Sequence, residues 1–311
     1  MPTISVIIPT YNRAHVLGRS VQSVLNQTFQ DFELIIVDDG STDNTESLVN
    51  RFRSKKIKYI RHQVNQGVSV APNTGVRLAK GDYIAILDDD EEWMPEKLER
   101  QMKVYYTAPM EVGVVYTSYT KYISLGNYIR PPKVAKKEGY LFKQLLDGLP
   151  IQCPMQWHTA LIKRECFNKV GLINESMLHA RDWEFLLRIS QHYQFLYIDE
   201  PLAIIYEQSE GRLSKQECYI VDIQRILKMY FSQIKHDSRM LAKYYSSIAY
   251  LSCTVGRNGQ GRCYYLKSLR AYPMDIVVIS AFLTSLLGSR IHNTAAAMYR
   301  RSKLNLLRKN M

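Results

Sequence analysis

The stretch that decides the fold is Gly81-Asp-Tyr-Ile-Ala-Ile-Leu-Asp-Asp-Asp90, an apolar run that ends in three consecutive aspartates. Tyr83–Leu87 is predicted to be a buried β-strand, because the run is short, apolar and bounded by polar residues. In an extended turn, residues two apart point the same way, so Asp88 and Asp90 can converge on one ligand. Such carboxylates suit Mg²⁺ or Mn²⁺. The alternative is an acidic loop that leads into the next helix, with Pro95 in its first turn.

The residues before this stretch alternate between strand and helix patterns. Apolar runs predict strands over Ile4–Ile8, Phe32–Val37 and Ile57–Ile60, and helical spacing predicts helices over Ala14–Gln27 and Val68–Ala79. This alternation predicts an α/β fold with parallel strand pairs and right-handed crossovers. In such sheets, ligands bind beyond the carboxyl ends of the strands.

Polar segments follow the first two strands as well. Pro9-Thr-Tyr-Asn-Arg13 follows the first, and Asp38-Asp-Gly-Ser-Thr-Asp43 follows the second. Acidic groups that meet at one edge repel each other, and a bound cation removes this cost, so we expect a divalent metal there. The second segment also fits a turn that caps a helix at Asn44–Phe52. Asp39 is not needed for that turn, and its carboxylate can accept the imide N–H of a uracil.

A late segment, His179-Ala-Arg-Asp-Trp-Glu-Phe-Leu-Leu-Arg188, begins a predicted helix with Asp182 in its first turn. There the helix dipole and free N–H groups favour an ionised carboxylate, which predicts a lowered pKa for Asp182. An ordinary acidic first-turn residue is the alternative. His158, beside Trp157, is interpreted as a packed core or rim residue and not as part of the site.

Charge is distributed very unevenly along the 311 residues. Residues 1–211 carry 24 Lys and Arg against 25 Asp and Glu, whereas residues 212–311 carry 17 against 4. Such a basic region can contact an anionic membrane surface or another polyanion. No nucleic-acid-binding motif accompanies the charge, so no nucleic acid is expected as a partner. Helices are predicted here over Ser214–Ile234, Arg239–Val255, Gly261–Ala271 and Ile276–Leu287, with a turn at Gly256–Gly261.

Cysteine usage and hydropathy predict a cytoplasmic protein. The 5 cysteines are scattered without a CxxC pair, which argues against a disulfide framework or a structural zinc site. The N-terminus lacks a basic leader, and the longest apolar stretch, Ile276–Leu287, is too short to span a bilayer. Peripheral contact with the cytoplasmic face of the membrane, through Arg290–Lys309, remains an expectation from the basic charge alone.

Several segments in order resemble the inverting family two glycosyltransferases, which have the GT-A fold. The resemblance covers about residues 3–206 and implies a mixed, mostly parallel central sheet flanked by helices. Residues 1–211 would then form the catalytic domain and residues 212–311 a basic helical C-terminal region. The segments that carry the similarity are Ser5–Arg13, Val24–Thr28, Asp31–Asp43, Gly81–Asp90, Trp93–Leu98, Val170–Glu175 and Arg181-Asp182.

The resemblance implies a role for each candidate site residue. Asp182 would be the general base of an inverting transfer, and Asp90 would bind the divalent metal, Mg²⁺ or Mn²⁺. The residues that would bind the nucleotide sugar are Pro9, Tyr11 and Arg13 in the nucleotide pocket, Asp39 at the base, and Asp88 and Asp89 on the ribose and phosphate side.

The implied reaction moves a sugar from a nucleoside-diphosphate sugar, with UDP expected, to a hydroxyl of a glycan or lipid-linked acceptor, as in polysaccharide or cell-envelope biosynthesis. A sugar nucleotidyltransferase is the first alternative, but its usual Gly-rich loop is missing from Pro9–Arg13. A non-catalytic carbohydrate-binding module is the second, and it would not need Asp182 in addition to the aspartate cluster. The sequence departs from the family pattern at Pro72, Glu91 and Arg181, where Arg, Asp and an acidic residue are usual.

Overall fold

The computed structural model describes residues 1–123, 128–130, 138–149, 155–207, 212–295 and 297–298. The chain divides into two compact units. The first unit comprises Met1–Met177 and Arg181–Ser209, and the second comprises Leu178–Ala180 and Glu210–Met311.

The first unit is built on one mixed sheet, to which the described residues contribute 9 strands. These are β1 (Ile4–Thr10), β2 (Phe32–Asp38), β3 (Ile57–Arg61), β4 (Tyr83–Ile86), β5 (Glu92–Trp93), β6 (Val112–Ile123), β7 (Tyr128–Arg130), β8 (Ala160–Lys163) and β9 (Gln194–Glu207). Their order is β3-β2-β1-β4-β8-β6-β9-β5, and β7 pairs with β6. Strands β1 to β4 pair in parallel as predicted. The fold class expected from the sequence, an α/β fold with a mixed sheet flanked by helices, is confirmed.

Antiparallel pairing begins where β8 joins β4, and β6 then pairs with β8 in the same sense. β6 returns to parallel pairing with β9. The central strand β1 is buried on both faces, since Val6, Ile7 and Ile8 all have no exposed surface. Such continuous apolar strands are typical of a parallel sheet that is covered by helices on both sides.

Seven helices of the first unit lie within the described residues. The first, α1, packs Leu17, Val21 and Val24 into the core, the spacing expected for an amphipathic helix. The seven are α1 (Ala14–Leu25), α2 (Thr45–Asn50), α3 (Val70–Leu78), α4 (Lys97–Tyr105), α5 (Phe142–Gly148), α6 (Arg164–Val170) and α7 (Arg181–Ile189).

The second unit is helical, as the sequence predicts. Its described helices are α8 (Arg212–Met229), α9 (Phe231–Ile234), α10 (Ser238–Thr254), α11 (Asn258–Ala271) and α12 (Ile276–Leu286). The predicted first helix is therefore interrupted at Tyr230. Among the described helices, none is long and apolar enough to cross a membrane. The expected membrane segment, residues 290–309, lies partly outside the described residues.

The predicted turn at residues 256–261 is only partly correct, because α11 already begins at Asn258. Gly256 has a φ of 86°, as expected of a residue that ends a helix in the left-handed region. Gly261, in contrast, lies inside α11 and against α10. A Cβ at Gly261 would lie 2.2 Å from the Cys253 sulfur, so this glycine permits close helix packing and not a turn.

Candidate active site

The carboxyl ends of β1, β2 and β4 meet at one edge of the sheet, as expected for neighbouring parallel strands. Thr10, the last residue of β1, donates a hydrogen bond from Oγ1 to Asp89 Oδ2 at 2.7 Å. This bond joins the loop after β1 to the loop after β4 that contains Asp88–Asp90, here called the aspartate loop. The structure thereby brings together segments that are about eighty residues apart in the chain.

Arg13 connects the same two loops through an ion pair. Its Nη1 lies 2.5 Å from Asp90 Oδ2 and 3.2 Å from Asp89 Oδ1. Burial, with the neighbouring Asp90 and Asp88 carboxylates, raises the pKa of Asp89 to about 7 against the lowering effects of Thr10 and Arg13. The Asp90 side chain is more exposed than that of Asp89, at 18% against 9%. Asp90 is thus the more exposed carboxylate of this pair.

The aspartate loop provides a partial set of metal ligands. No group of three or more His, Cys, Asp or Glu side chains in the described part of the chain is arranged to hold an ion. Asp89 accepts the Thr10 hydroxyl and is the least exposed of the three aspartates at 9%, whereas the Asp90 and Asp88 side chains are 18% and 31% exposed. Hard oxygen ligands of this kind fit Mg²⁺ or Mn²⁺ if water and diphosphate oxygens complete the coordination. The residues present therefore fit a metal that binds together with a nucleotide.

Asp39 fixes the loop between β3 and α3. Its Oδ1 accepts the backbone N–H of Gln66 and its Oδ2 that of Gly67, both at 2.9 Å. His62 Nδ1 lies 2.7 Å from the same Oδ1, and its Nε2 lies 3.0 Å from the Thr74 hydroxyl. The three contacts fix the carboxylate in a buried position and leave lone-pair capacity for one more donor.

The turn after Asp39 depends on a glycine. Gly40 has a φ of 82°, and a Cβ there would lie 2.8 Å from the backbone carbon of Val64. The neighbouring loop after β1 is tied to this turn, since Asn12 N–H donates to Ser41 Oγ at 2.8 Å. Pro9 lies near the end of β1, and the Tyr11 side chain just beyond it is 45% exposed at the edge.

A second cluster forms around Asp88, on the side of the edge where β8 joins the sheet. Trp157 Nε1 donates to Asp88 Oδ1 at 3.1 Å, and His158 Nδ1 lies 3.6 Å from Asp88 Oδ2. The Arg181 guanidinium lies 5.0 Å from the centre of the Trp157 ring. Trp157 and His158 form a short 3-10 turn directly before β8, so the antiparallel strand β8 places both side chains beside the aspartate loop.

The two acidic residues of this cluster have opposite pKa shifts. Burial raises the pKa of Asp88, but the contacts with His158, Arg181 and Trp157 outweigh it, and the pKa is lowered overall. Burial also raises the pKa of Asp182, and here the Asp88 charge adds to the rise while Arg181 and His158 oppose it without reversing it. The expectation of a lowered pKa for Asp182 is therefore wrong. Desolvation outweighs the helix dipole at this position.

His158 is the clearest residue that the sequence analysis left out of the site. Its side chain is 2% exposed, and neither ring nitrogen has a hydrogen-bond partner among the described residues. The interpretation as a packed residue is correct for its burial but omits the ring's position beside Asp88. His62 and Trp157 were also missed. The Trp157-His158 pair just before an apolar run is the only sequence signal for this half of the cluster.

The sheet order and the acidic edge define a nucleotide-sugar-binding glycosyltransferase of the GT-A type. The chain belongs to glycosyltransferase family 2, since the family model "Glycosyl transferase family 2" matches residues 5–171, more than half of the chain. It is therefore a glycosyltransferase enzyme, as the sequence predicts.

Three known proteins illustrate the similarity. The Escherichia coli UDP-Glc:alpha-D-GlcNAc-diphosphoundecaprenol beta-1,3-glucosyltransferase WfgD is 32% identical over 189 residues, 60% of this chain and 69% of the relative. The crystal structure of S. aureus TarS 1-349 with UDP-GlcNAc superposes with a TM-score of 0.66 at 18% identity, over 96% of this chain and 92% of that one. The mannosyltransferase PcManGT from Pyrobaculum calidifontis, in complex with GDP-Man and Mn²⁺, gives a TM-score of 0.57 at 20% identity, over 97% and 81%.

The relatives differ widely in length. Among curated relatives, the share of the relative's own length that this chain covers ranges from 23% to 89%. The two structural similarities, below 25% identity, show the fold alone. They agree with the mixed sheet and the C-terminal helices described above.

Proposed function

We propose that this chain transfers a sugar with inversion from a UDP-linked donor to a hydroxyl of a lipid-linked or glycan acceptor, with Asp182 as general base. One observation carries the proposal: Arg181, next to Asp182 at the start of α7, lies over the Trp157 ring, and Trp157 donates a hydrogen bond to Asp88 after β4. A lipid-linked acceptor and a UDP donor are supported by the activity of the E. coli relative WfgD, which transfers glucose from UDP-Glc to a diphosphoundecaprenol-linked sugar.

Asp182 has the properties required of the base. As the acceptor oxygen attacks the anomeric carbon, its proton must pass to a carboxylate on the side opposite the leaving nucleoside diphosphate. Burial raises the pKa of Asp182 and so strengthens it as a base relative to an exposed aspartate. The nearby Arg181 and His158 oppose this rise in the pKa of Asp182 without reversing it. Such a base contributes about 10²–10⁴-fold to the rate.

The donor side is assigned to the loops after β1, β2 and β4. Asp39 would accept the imide N–H of the base with its remaining lone pair, and the exposed Tyr11 ring and Pro9 would line the nucleotide pocket. Asp88 and Asp89 would face the ribose and phosphates, with Arg13 as their counter-charge. A divalent metal held by Asp90 would neutralise the charge that develops on the departing diphosphate.

The proposed organisation extends to the whole chain. Residues 1–211 would form the catalytic domain and residues 212–311 a basic helical region. A cytoplasmic location, with peripheral contact at the membrane face, would place the active site beside a lipid-linked acceptor. The 17 Lys and Arg against 4 Asp and Glu in residues 212–311 support this contact.

The first experiment titrates UDP into the protein with and without Mn²⁺, using wild type and Asp90→Ala. We expect Mn²⁺-dependent UDP binding in the wild type and its loss in the variant. Asp82→Asn is the matched control, because Asp82 is exposed at the opposite end of β4 and should bind UDP normally. Equal Mn²⁺-dependent binding by Asp90→Ala would refute the assignment of Asp90 to the metal. Binding of GDP in place of UDP would refute uracil as the nucleobase of the donor.

The second experiment tests the base. Asp182→Asn should lower sugar transfer by about 10²–10⁴-fold and leave UDP affinity unchanged, because the residue acts on the acceptor hydroxyl. Reduced UDP affinity would indicate a structural role instead. Product analysis separates the alternatives: transfer releases UDP, a nucleotidyltransferase releases pyrophosphate, and a binding module releases neither.

A further inference from the structure

The outward face of α12 is aliphatic and exposed to solvent. Ile276 is 78% exposed, Leu283 55% and Leu287, directly after the helix, 66%. Ile279 and Leu286 are exposed on the same face. Residues 276–287 contain no charged side chain. An isolated exposed leucine is ordinary, but a contiguous face of five large aliphatic side chains marks an interaction site.

The opposite face of α12 fixes this orientation. Val278 and Ser285 are buried, and Ala281 and Phe282 pack against a core cluster that includes Tyr265 of α11. The helix begins at a well-formed cap, since the Asp275 carboxylate accepts the N–H groups of residues 277 and 278 at 3.0 and 3.1 Å. The packing of the inner face and the N-cap hold α12 in place, so the aliphatic face is the side that is exposed to solvent.

Charge identifies the partner of this face. Residues 212–311 carry 17 Lys and Arg against 4 Asp and Glu, a net charge of +13 (17 − 4). A second copy of the chain would bring an equal positive charge to the contact, so repulsion opposes self-association. An anionic lipid surface satisfies both features, because it accepts aliphatic side chains and attracts the Lys and Arg of residues 212–311.

We propose that the Ile276–Leu287 face inserts into the boundary between headgroups and acyl chains of an anionic bilayer. A helix of this length is roughly 16 Å long, about half the thickness of the hydrocarbon core, so it lies along the surface and does not cross it. The inference deepens the proposed function by naming the surface that holds the enzyme near a lipid-linked acceptor, and it rests on that function only for its biological purpose.

The test is flotation of the full chain with vesicles of phosphatidylcholine, alone or mixed with phosphatidylglycerol. We expect wild type to float with the mixed vesicles only, and Leu283→Gln/Leu286→Gln to float about tenfold less. The matched control is Tyr106→Gln/Met110→Gln, which also removes two exposed apolar side chains, 71% and 86% exposed, from the first unit. This control should float like wild type. Circular dichroism verifies that each variant is folded.

Three outcomes would overturn the proposal. Equal flotation of wild type and Leu283→Gln/Leu286→Gln would show that basic charge alone binds the vesicles. A wild-type dimer in light scattering that becomes a monomer in the same variant would show that a second copy covers the face. UDP binding, measured on the same samples, keeps the tests separate: failure to float with intact UDP binding rejects the membrane surface and leaves the proposed reaction standing.

Discussion

The most informative perturbation is the removal of the Arg181 charge beside the proposed base. Arg181 is the group that lowers the pKa of Asp182 most. It acts against the rise caused by burial, to which the Asp88 charge adds. In Arg181→Gln the carboxylate loses this cation, so its pKa should rise further. A base acts only when ionised, and the rate falls as the pH drops through its pKa. The acid limb of the pH–rate profile should therefore move to higher pH.

The size of the shift follows from the interaction that is lost. An opposite charge within about 4–6 Å moves the pKa of a carboxylate by about 1–3 units. The Arg181 guanidinium also lies over the Trp157 ring, at 5.0 Å, so we take the lower end. A shift of about one unit corresponds to about 1.4 kcal/mol. The assay is kcat against pH at saturating donor, acceptor and Mn²⁺, so that the profile reports groups in the bound complex.

The conservative variant separates charge from stacking. Arg181→Lys keeps the positive charge but loses the planar contact with Trp157, so its acid limb should stay near that of the wild type. In Asp182→Asn the limb should disappear from the residual activity. An unmoved or downward-shifted limb in Arg181→Gln would refute the reasoning, because another group would then be the one whose ionisation limits the reaction.

Three further predictions concern contacts seen in the structure. Asp222→Ala should lower the free energy of unfolding in urea by about 3 kcal/mol, since this fully buried carboxylate accepts three successive backbone N–H groups. The control, Asp237→Ala, removes a helix cap and should lower it by only about 1 kcal/mol. Equal losses in the two variants would contradict this prediction. His62→Phe should weaken UDP binding roughly fivefold in calorimetry by releasing Asp39, and unchanged affinity would contradict it. Arg13→Gln should tighten Mn²⁺ binding without nucleotide roughly threefold, because the guanidinium no longer competes for the carboxylates; weaker binding would contradict this.

The sheet could be predicted wherever a strand is an uninterrupted apolar run. Strand β2 was predicted over Phe32–Val37 and extends over Phe32–Asp38, and β1 and β3 agree as closely. The start of α11 was not predictable in the same way. Gly256 and Gly261 both suggest a turn, but the second is a contact between α10 and α11, and only the packed structure distinguishes the two uses.

The residues of the candidate site also differ in whether the sequence alone could place them. Asp88, Asp89 and Asp90 could be placed at the carboxyl edge of the sheet because they follow β4, which pairs in parallel with β1 as the alternating strand and helix pattern predicts. Trp157 and His158 could not, because they reach Asp88 through the antiparallel pairing of β8 with β4. That pairing joins distant segments, and no local pattern of residues encodes it.

The pKa of Asp182 shows why local reasoning gave the wrong sign. A helix N-terminus stabilises a carboxylate by about 0.3–1 kcal/mol when it is exposed, less than one pKa unit. Burial shifts the pKa in the other direction, by up to about 3–5 units when it is complete, and the Asp182 side chain is half-buried. The outcome is therefore decided by whatever surrounds the first turn of α7, and His158 and Asp88 of other segments do so here. On a solvated helix the same residue would be a weaker base, so the basicity that the proposed role of Asp182 requires comes from tertiary packing and not from the helix that carries it.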